Sequence, residues 1–134
     1  MFSQSEVTLM IVIEIDFNSD EAIYMQLRNQ IILGIAASQF KEGEILPSVR
    51  QLADTIGINM HTVNKAYTIL KQEGFVKVDR RHGAVIALDI DRLQAMNEMR
   101  EELRVVLAKG RCKQITREEM HQLVDELYNS YECH

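Results

Sequence analysis

The sequence predicts a mainly α-helical fold with one small β-hairpin, in two parts: a domain over residues 10–88 and a two-helix tail over residues 89–134. Three observations carry this. Apolar residues recur at helical spacing in five separate stretches. Two short runs of β-type residues, 75–78 and 84–87, flank a turn that ends in Gly83. One proline and six glycines interrupt 134 residues, so loops are few, and the absence of tryptophan leaves a largely aliphatic core.

Residues 1–9 lack periodicity and are expected to fray. Ile11, Ile13 and Ile15 alternate with Val12 and Glu14, the pattern of a short edge strand. Asn18-Ser19-Asp20 then reads as a turn and helix start. Ile23, Leu27, Ile31 and Ile35 recur every fourth residue, giving an amphipathic helix from Glu21 to about Gln39. A turn at residues 41–44 follows. Ser48, with Gln51 three residues later, forms a capping box for a second helix, whose stripe is Val49, Leu52, Ala53 and Ile56. Gly57 stops it. Asn59 caps a third helix, with Ile58 and Val63 at staple positions and Val63, Ala66, Tyr67 and Leu70 facing inward. That helix ends at Glu73-Gly74.

The hairpin comes next, with Asp79-Arg80-Arg81-His82-Gly83 as a basic tip. Helix, helix, tight glycine turn, helix and basic hairpin is the order of a winged helix-turn-helix. In the tail, Leu93, Met96, Met99, Leu103, Val106 and Leu107 stripe a helix expected to break at Gly110. Thr116 and Glu119 form another capping box, ahead of Met120, Leu123, Val124, Leu127, Tyr128 and Tyr131. Two helices of this size cannot enclose a core. Their apolar faces, Met96, Met99, Leu103, Val106, Leu107, Met120, Leu123, Val124, Leu127 and Tyr128, are therefore expected to pack on the first domain or on a second copy, and a homodimer is the expected assembly.

Charge is distributed unevenly. The chain is acidic overall, at -5, yet residues 46–82 hold six bases (Arg50, Lys65, Lys71, Lys77, Arg80, Arg81) against three acids (Asp54, Glu73, Asp79). A polyanion responds to a local face and not to the total. Outside its stripe, the third helix presents Met60, His61, Thr62, Asn64, Lys65, Thr68 and Lys71. Asparagine pairs with an adenine edge, lysine with guanine or phosphate, and threonine with a phosphate or a thymine methyl. Ser48 and Arg50 begin the helix that would cross the backbone, and Asn59 with the first-turn amides suits a phosphate. Arg80, Arg81, His82 and Gly83 form a tip fit for a minor groove or a phosphate strand. The same residues also suit an ordinary solvated surface.

Enzyme signatures are missing: the chain has no glycine-rich phosphate loop, HExxH or GxSxG. No cofactor is expected. Cys112, His121, Cys133 and His134 fit no common metal spacing, so no metal site is expected either. No apolar run approaches the ~20 residues a membrane span needs. Two cysteines without a CxxC read as reduced thiols, which implies a cytoplasmic protein.

The stretch LPSVRQLADTIGINMHTVNKAYTILKQEGFVKVDRRHGAVI at residues 46–86 resembles the DNA-binding domain of the GntR family of bacterial transcription regulators. The matching parts are LPSxRxLA, the turn at Gly57, TVxxAYxxL, Glu73-Gly74 and Gly83; the stretch IDFNSDEAIYMQLRNQI resembles the family's first helix. About a dozen spaced positions agree across residues 13–88, and the short tail resembles the YtrA subfamily. The resemblance implies a homodimeric winged-helix repressor on a palindromic operator in double-stranded DNA, often serving a transporter operon. It places DNA contacts on Ser48, Arg50, Asn59, His61, Thr62, Asn64, Lys65 and residues 80–83. Relatives often carry arginine where this chain has Met60, and a GRGT wing where it has Arg81-His82-Gly83-Ala84. Two other readings fit the residues: a protein-interaction module without DNA contact, and a ligand or metal sensor seated at a dimer seam.

Overall fold

A computed structural model describes residues 13–132. The expectations for residues 1–9, for Ile11 and Val12, and for Cys133 and His134 lie outside them. The chain divides into a unit ending at Asp89 and a unit beginning at Ile90. The first contains α1 (Ile23–Ala36), α2 (Val49–Ile56), α3 (Met60–Gln72), β1 (Val76–Asp79) and β2 (Gly83–Ile86). The second contains α4 (Arg92–Cys112) and α5 (Arg117–Glu132). The fold is mainly α with one antiparallel hairpin, and the first unit is a winged helix-turn-helix.

The stripes read from sequence line the first unit's core. Leu27 and Ile31 of α1, Leu52 of α2, and Val63, Ala66 and Leu70 of α3 are fully buried, with Val76 and Ile86 closing from the hairpin. Each such aliphatic side chain contributes ~1.5–3 kcal/mol by leaving water. Phe40, which follows α1, lies flat on Gly34; a Cβ there would fall 2.1 Å from the ring.

Helix ends are closed by backbone bonds. Ile58 N–H reaches back to the Ala53 carbonyl (3.0 Å) around Gly57, whose φ of +73° is a left-handed turn that glycine adopts without a Cβ penalty. Phe75 N–H does the same to Leu70 (2.9 Å) around Gly74. Gln39 N–H to Gly34 (2.8 Å) and Ile115 N–H to Gly110 (2.9 Å) repeat the motif around Ser38 and Gln114, at φ +60° and +64°.

Four expectations need correction. Residues 13–15 are extended but form no strand. Two glutamine side chains replace the strand partner: Gln30 accepts from Glu14 N–H (2.7 Å) and donates to the Glu14 carbonyl, while Gln26 accepts from Asp16 N–H (2.9 Å) and donates to the Asp16 carbonyl (3.0 Å). The first helix starts later and stops earlier than expected. Asp16 and Ser19 bond the amides of Asn18 and Glu21 (2.9 and 3.0 Å), so that cluster makes turns and not a cap. The strands sit one residue off the expected bounds, because Asp79 pairs across from Gly83 and Phe75 is held by the end of α3. Finally, Gly110 does not break α4. It is buried inside the helix, where its missing side chain admits the Met120 methyl, and the stop comes at Gln114.

The segment before α2 adds a short third edge to the wing. Ile45 bridges Val85, and Leu46 N–H donates to the Ala84 carbonyl (2.9 Å). In the second unit, Asp91 caps α4 by accepting from Gln94 N–H (3.1 Å). The Thr116–Glu119 capping box forms at the start of α5, and the Thr116 backbone N–H first, then the Thr116 hydroxyl, hold the Glu119 carboxyl below the usual carboxylate range. The ten apolar side chains singled out along this unit find no core. Nine of them are 46–64% exposed, and Met120 is half-buried against Gly110. No helix of the described residues is long and apolar enough to cross a membrane.

Candidate nucleic-acid interface

Two helix starts and a hairpin tip supply the predicted contact residues. At the first start the capping box is complete: Ser48 Oγ accepts from Gln51 N–H (3.1 Å), and Gln51 Oε1 accepts from Ser48 N–H (3.0 Å). Arg50 extends from that first turn, exposed, with no hydrogen bond or ion pair to any described residue. Its local alternative, a surface salt bridge, does not form there.

At the second start Asn59 Oδ1 accepts from His61 N–H (2.7 Å), and the Asn59 carbonyl accepts from Thr62 and Val63 (3.0 and 3.2 Å). These bonds satisfy most of the first-turn amides that the sequence reading had offered to a phosphate. What remains outward at Asn59 is its amide nitrogen. His61 and Asn64 are exposed and Thr62 half-buried, and none of their side chains bonds a described residue. Thr68 differs: its hydroxyl donates to the Asn64 carbonyl (2.8 Å), inside its own helix. Lys65 also departs from the front, since its Nζ lies 4.0 Å above the centre of the Tyr24 ring on α1.

At the tip, Asp79 organises the turn. One carboxylate oxygen accepts from Arg81 N–H (2.7 Å), and the other lies 3.3 Å from His82 Nδ1. The Arg81 amide first, then the His82 ring, hold the Asp79 carboxyl below the usual carboxylate range. Arg80 and Arg81 therefore surround a folded turn, and their guanidinium groups are exposed and unpaired among the described residues. Gly83 closes the turn at φ +79°.

Ser48, the middle of α3 and Gly83 meet, while Arg50, Asn59, His61, Thr62 and residues 80–82 do not border the groove they form. A groove of about 390 Å³ runs between α3 and the hairpin, and Ser48, Asn64, Thr68, Lys71 and Gly83 all border it. Tyr67 fixes this geometry from beneath: its buried hydroxyl donates to the Pro47 carbonyl (2.8 Å), tying α3 to the residue before Ser48. The sequence reading placed Tyr67 in the apolar stripe and missed that role. The available signal was a tyrosine where aliphatic residues would pack, because a buried phenol needs an acceptor. The spacing puts Asp79 in the turn but does not reveal its bonds to Arg81 and His82. Among the described residues no three His, Cys, Asp or Glu side chains gather as metal ligands.

Comparison with known proteins agrees with this geometry. Residues 20–86 match the model of the bacterial regulatory proteins, gntR family. The HTH-type transcriptional repressor YtrA of Bacillus subtilis (strain 168) is 30% identical over 119 residues, covering 87% of this chain and 92% of that protein. The uncharacterized HTH-type transcriptional regulator YhcF of the same organism is 29% identical over 109 residues, covering 78% and 88%. Among solved structures, a transcriptional antiterminator from Listeria monocytogenes EGD-e superposes with a TM-score of 0.80 at 28% identity, covering 90% of this chain and 92% of that one. YtrA from Sulfolobus acidocaldarius, a GntR-family transcription factor, is 41% identical with a TM-score of 0.62, covering 72% and 98%.

Proposed function

Because the chain belongs to the GntR family, and so is a DNA-binding transcriptional regulator and not an enzyme, we propose that it acts in the cytoplasm as a homodimeric repressor on a palindromic operator, controlling an operon. The observation that carries this reading is the groove that Ser48, Asn64 and Gly83 share, since it puts three separate elements on one surface. The front of α3 enters the major groove. Asn64, His61 and Thr62 face base edges, with Asn64 suited to adenine. Arg50 and the Ser48 hydroxyl clamp phosphates on one side, and the Asn59 amide nitrogen donates to another. Arg80 and Arg81 reach the neighbouring backbone or minor groove, steadied by Asp79 and Gly83. Residues 10–88 are the DNA-binding domain and residues 89–134 the dimerisation tail, whose exposed apolar faces a second copy would cover. The similar Bacillus subtilis YtrA is a transcriptional repressor, which supports that direction of control.

The test begins with selection of duplexes from a randomised library and a mobility-shift titration of the selected site over a salt series. Arg50→Ala should weaken binding to every sequence and lower the salt slope by about one unit. Asn64→Ala should relax one operator position at a cost of ~1–3 kcal/mol. An unchanged slope removes Arg50 from the phosphates, and a uniform loss removes Asn64 from the bases.

A further inference from the structure

We propose that Tyr24, on α1, is a positioning residue for DNA binding: its ring holds the Lys65 ammonium on the α1 flank of α3, so Lys65 contacts phosphate and reads no base. The inference rests on the reading of α3 as the groove helix. Lys65 leaves α3 next to Asn64, and on spacing alone either a guanine edge or a phosphate is in reach. The structure separates the two. Lys65 Nζ stands 4.0 Å over the Tyr24 ring, a cation–π distance. Tyr24 is half-buried, and α1 packs directly on α3. One turn along α1 from Tyr24, Arg28 forks onto Glu73 at the far end of α3 (2.6 and 2.8 Å), which fixes the ring's platform relative to the groove helix.

An exposed cation–π contact favours the docked rotamer over free ones by roughly twofold to fivefold. The ring occupies one side of the ammonium and leaves the outer N–H donors available. No carboxylate among the described residues pairs with Lys65, so its charge is not neutralised within the protein. A held cation with free donors, set to the side of the base-facing residues, suits a phosphate.

The experiment uses the full chain and the duplex that the wild-type protein selects. Lys65→Gln should reduce affinity by the same factor on the selected duplex and on each of its single-base variants, and lower the salt slope by about 0.9. Tyr24→Phe should stay within twofold of wild type. Tyr24→Leu should weaken binding twofold to fivefold, the rotamer preference lost with the ring. In the Lys65→Gln background, Tyr24→Leu should have no further effect on affinity, an outcome that a purely structural tyrosine would not give. Loss of preference at one base pair on Lys65→Gln overturns the inference while leaving the DNA interface intact. An equal Tyr24→Leu effect in both backgrounds overturns it as well. A wild-type chain that enriches no duplex defeats the proposed interface itself.

Discussion

Gly34 illustrates how one missing side chain organises the first unit. Alanine is the better helix former by ~1 kcal/mol, and a solvent-facing glycine in α1 would gain from the exchange. Here the added Cβ would lie 2.1 and 2.5 Å from two atoms of the Phe40 ring, which is 1% exposed and has nowhere to go. Overpacking of a closed core costs ~1–3 kcal/mol, so the clash wins. Gly34→Ala should lower the urea midpoint at unchanged m-value, with a net loss of up to ~2 kcal/mol. Adding Phe40→Leu should restore part of the loss, and a more stable Gly34→Ala would mean that the ring does not rest there. None of this was legible in the sequence, which shows a glycine in a helix but not the residue folded back over it. The stripe Leu27, Ile31, Leu52, Val63, Leu70 was legible, because periodicity alone selects it. The caps at Ser48 and Asn59 and the exposure of Arg50 and Asn64 were also legible, since helix starts and unstriped positions can be counted. The bonds that Tyr67 and Lys65 make were not legible, because the partner of each is 20 or more positions away, Pro47 and Tyr24.

Helices with a capping box begin where the sequence says, and helices end where the backbone can turn. The capping boxes at Ser48 and Thr116 are both present as read, because a cap and its partner are three residues apart. Stops are harder. Gly110 signals a break by composition, yet the left-handed residue is Gln114, and at the end of α1 it is Ser38. A residue with a Cβ in that conformation bears a strain of ~1–2 kcal/mol, which glycine avoids at an entropic cost of ~0.5–1 kcal/mol. Ser38→Gly should therefore raise the stability of the first unit by about 0.5–1 kcal/mol, measured by urea denaturation. A loss of stability would mean that the serine side chain contributes something the turn geometry does not. The wing obeys a different control. The Asp79 carboxyl is held below its usual range by the Arg81 amide and the His82 ring, so its charged form belongs to the folded tip. A depressed carboxylate stabilises above the ordinary carboxylate range and loses that contribution as pH falls through its lowered value. The Arg81 amide resonance should thus stay fixed from neutral pH down through the usual carboxylate range and move only below it. Asp79→Asn should remove that transition; its persistence would assign the titration elsewhere.

At the scale of the whole molecule, the decisive contrast is between two units of opposite character. One buries the greater part of its aliphatic stripes and leaves a polar front; the other buries almost nothing and leaves aliphatic side chains about half exposed along both helices. The overall charge of -5 is compatible with DNA binding because residues 46–82 carry a local excess of six bases over three acids, while most of the acids lie before and after. A single winged unit offers few phosphate contacts, and the proposed dimer would join two on half-sites about one helical turn apart. Linking two modest binding modules gains roughly 10²–10⁴ in avidity without any new DNA contact. Leu103 on α4 and Val124 on α5 are 48% and 49% exposed in one copy, and both would be covered in a pair. Leu103→Asp and Val124→Asp should each convert a micromolar dimer into a monomer in sedimentation, leave half-site binding at its weak value, and reduce full-operator affinity by roughly 10²–10⁴. Helical content of the first unit should survive, because its core is closed without the tail. A wild-type chain that sediments as a monomer at micromolar concentration, or a Leu103→Asp chain that still holds the full operator as wild type does, would defeat the dimer and leave the avidity unexplained.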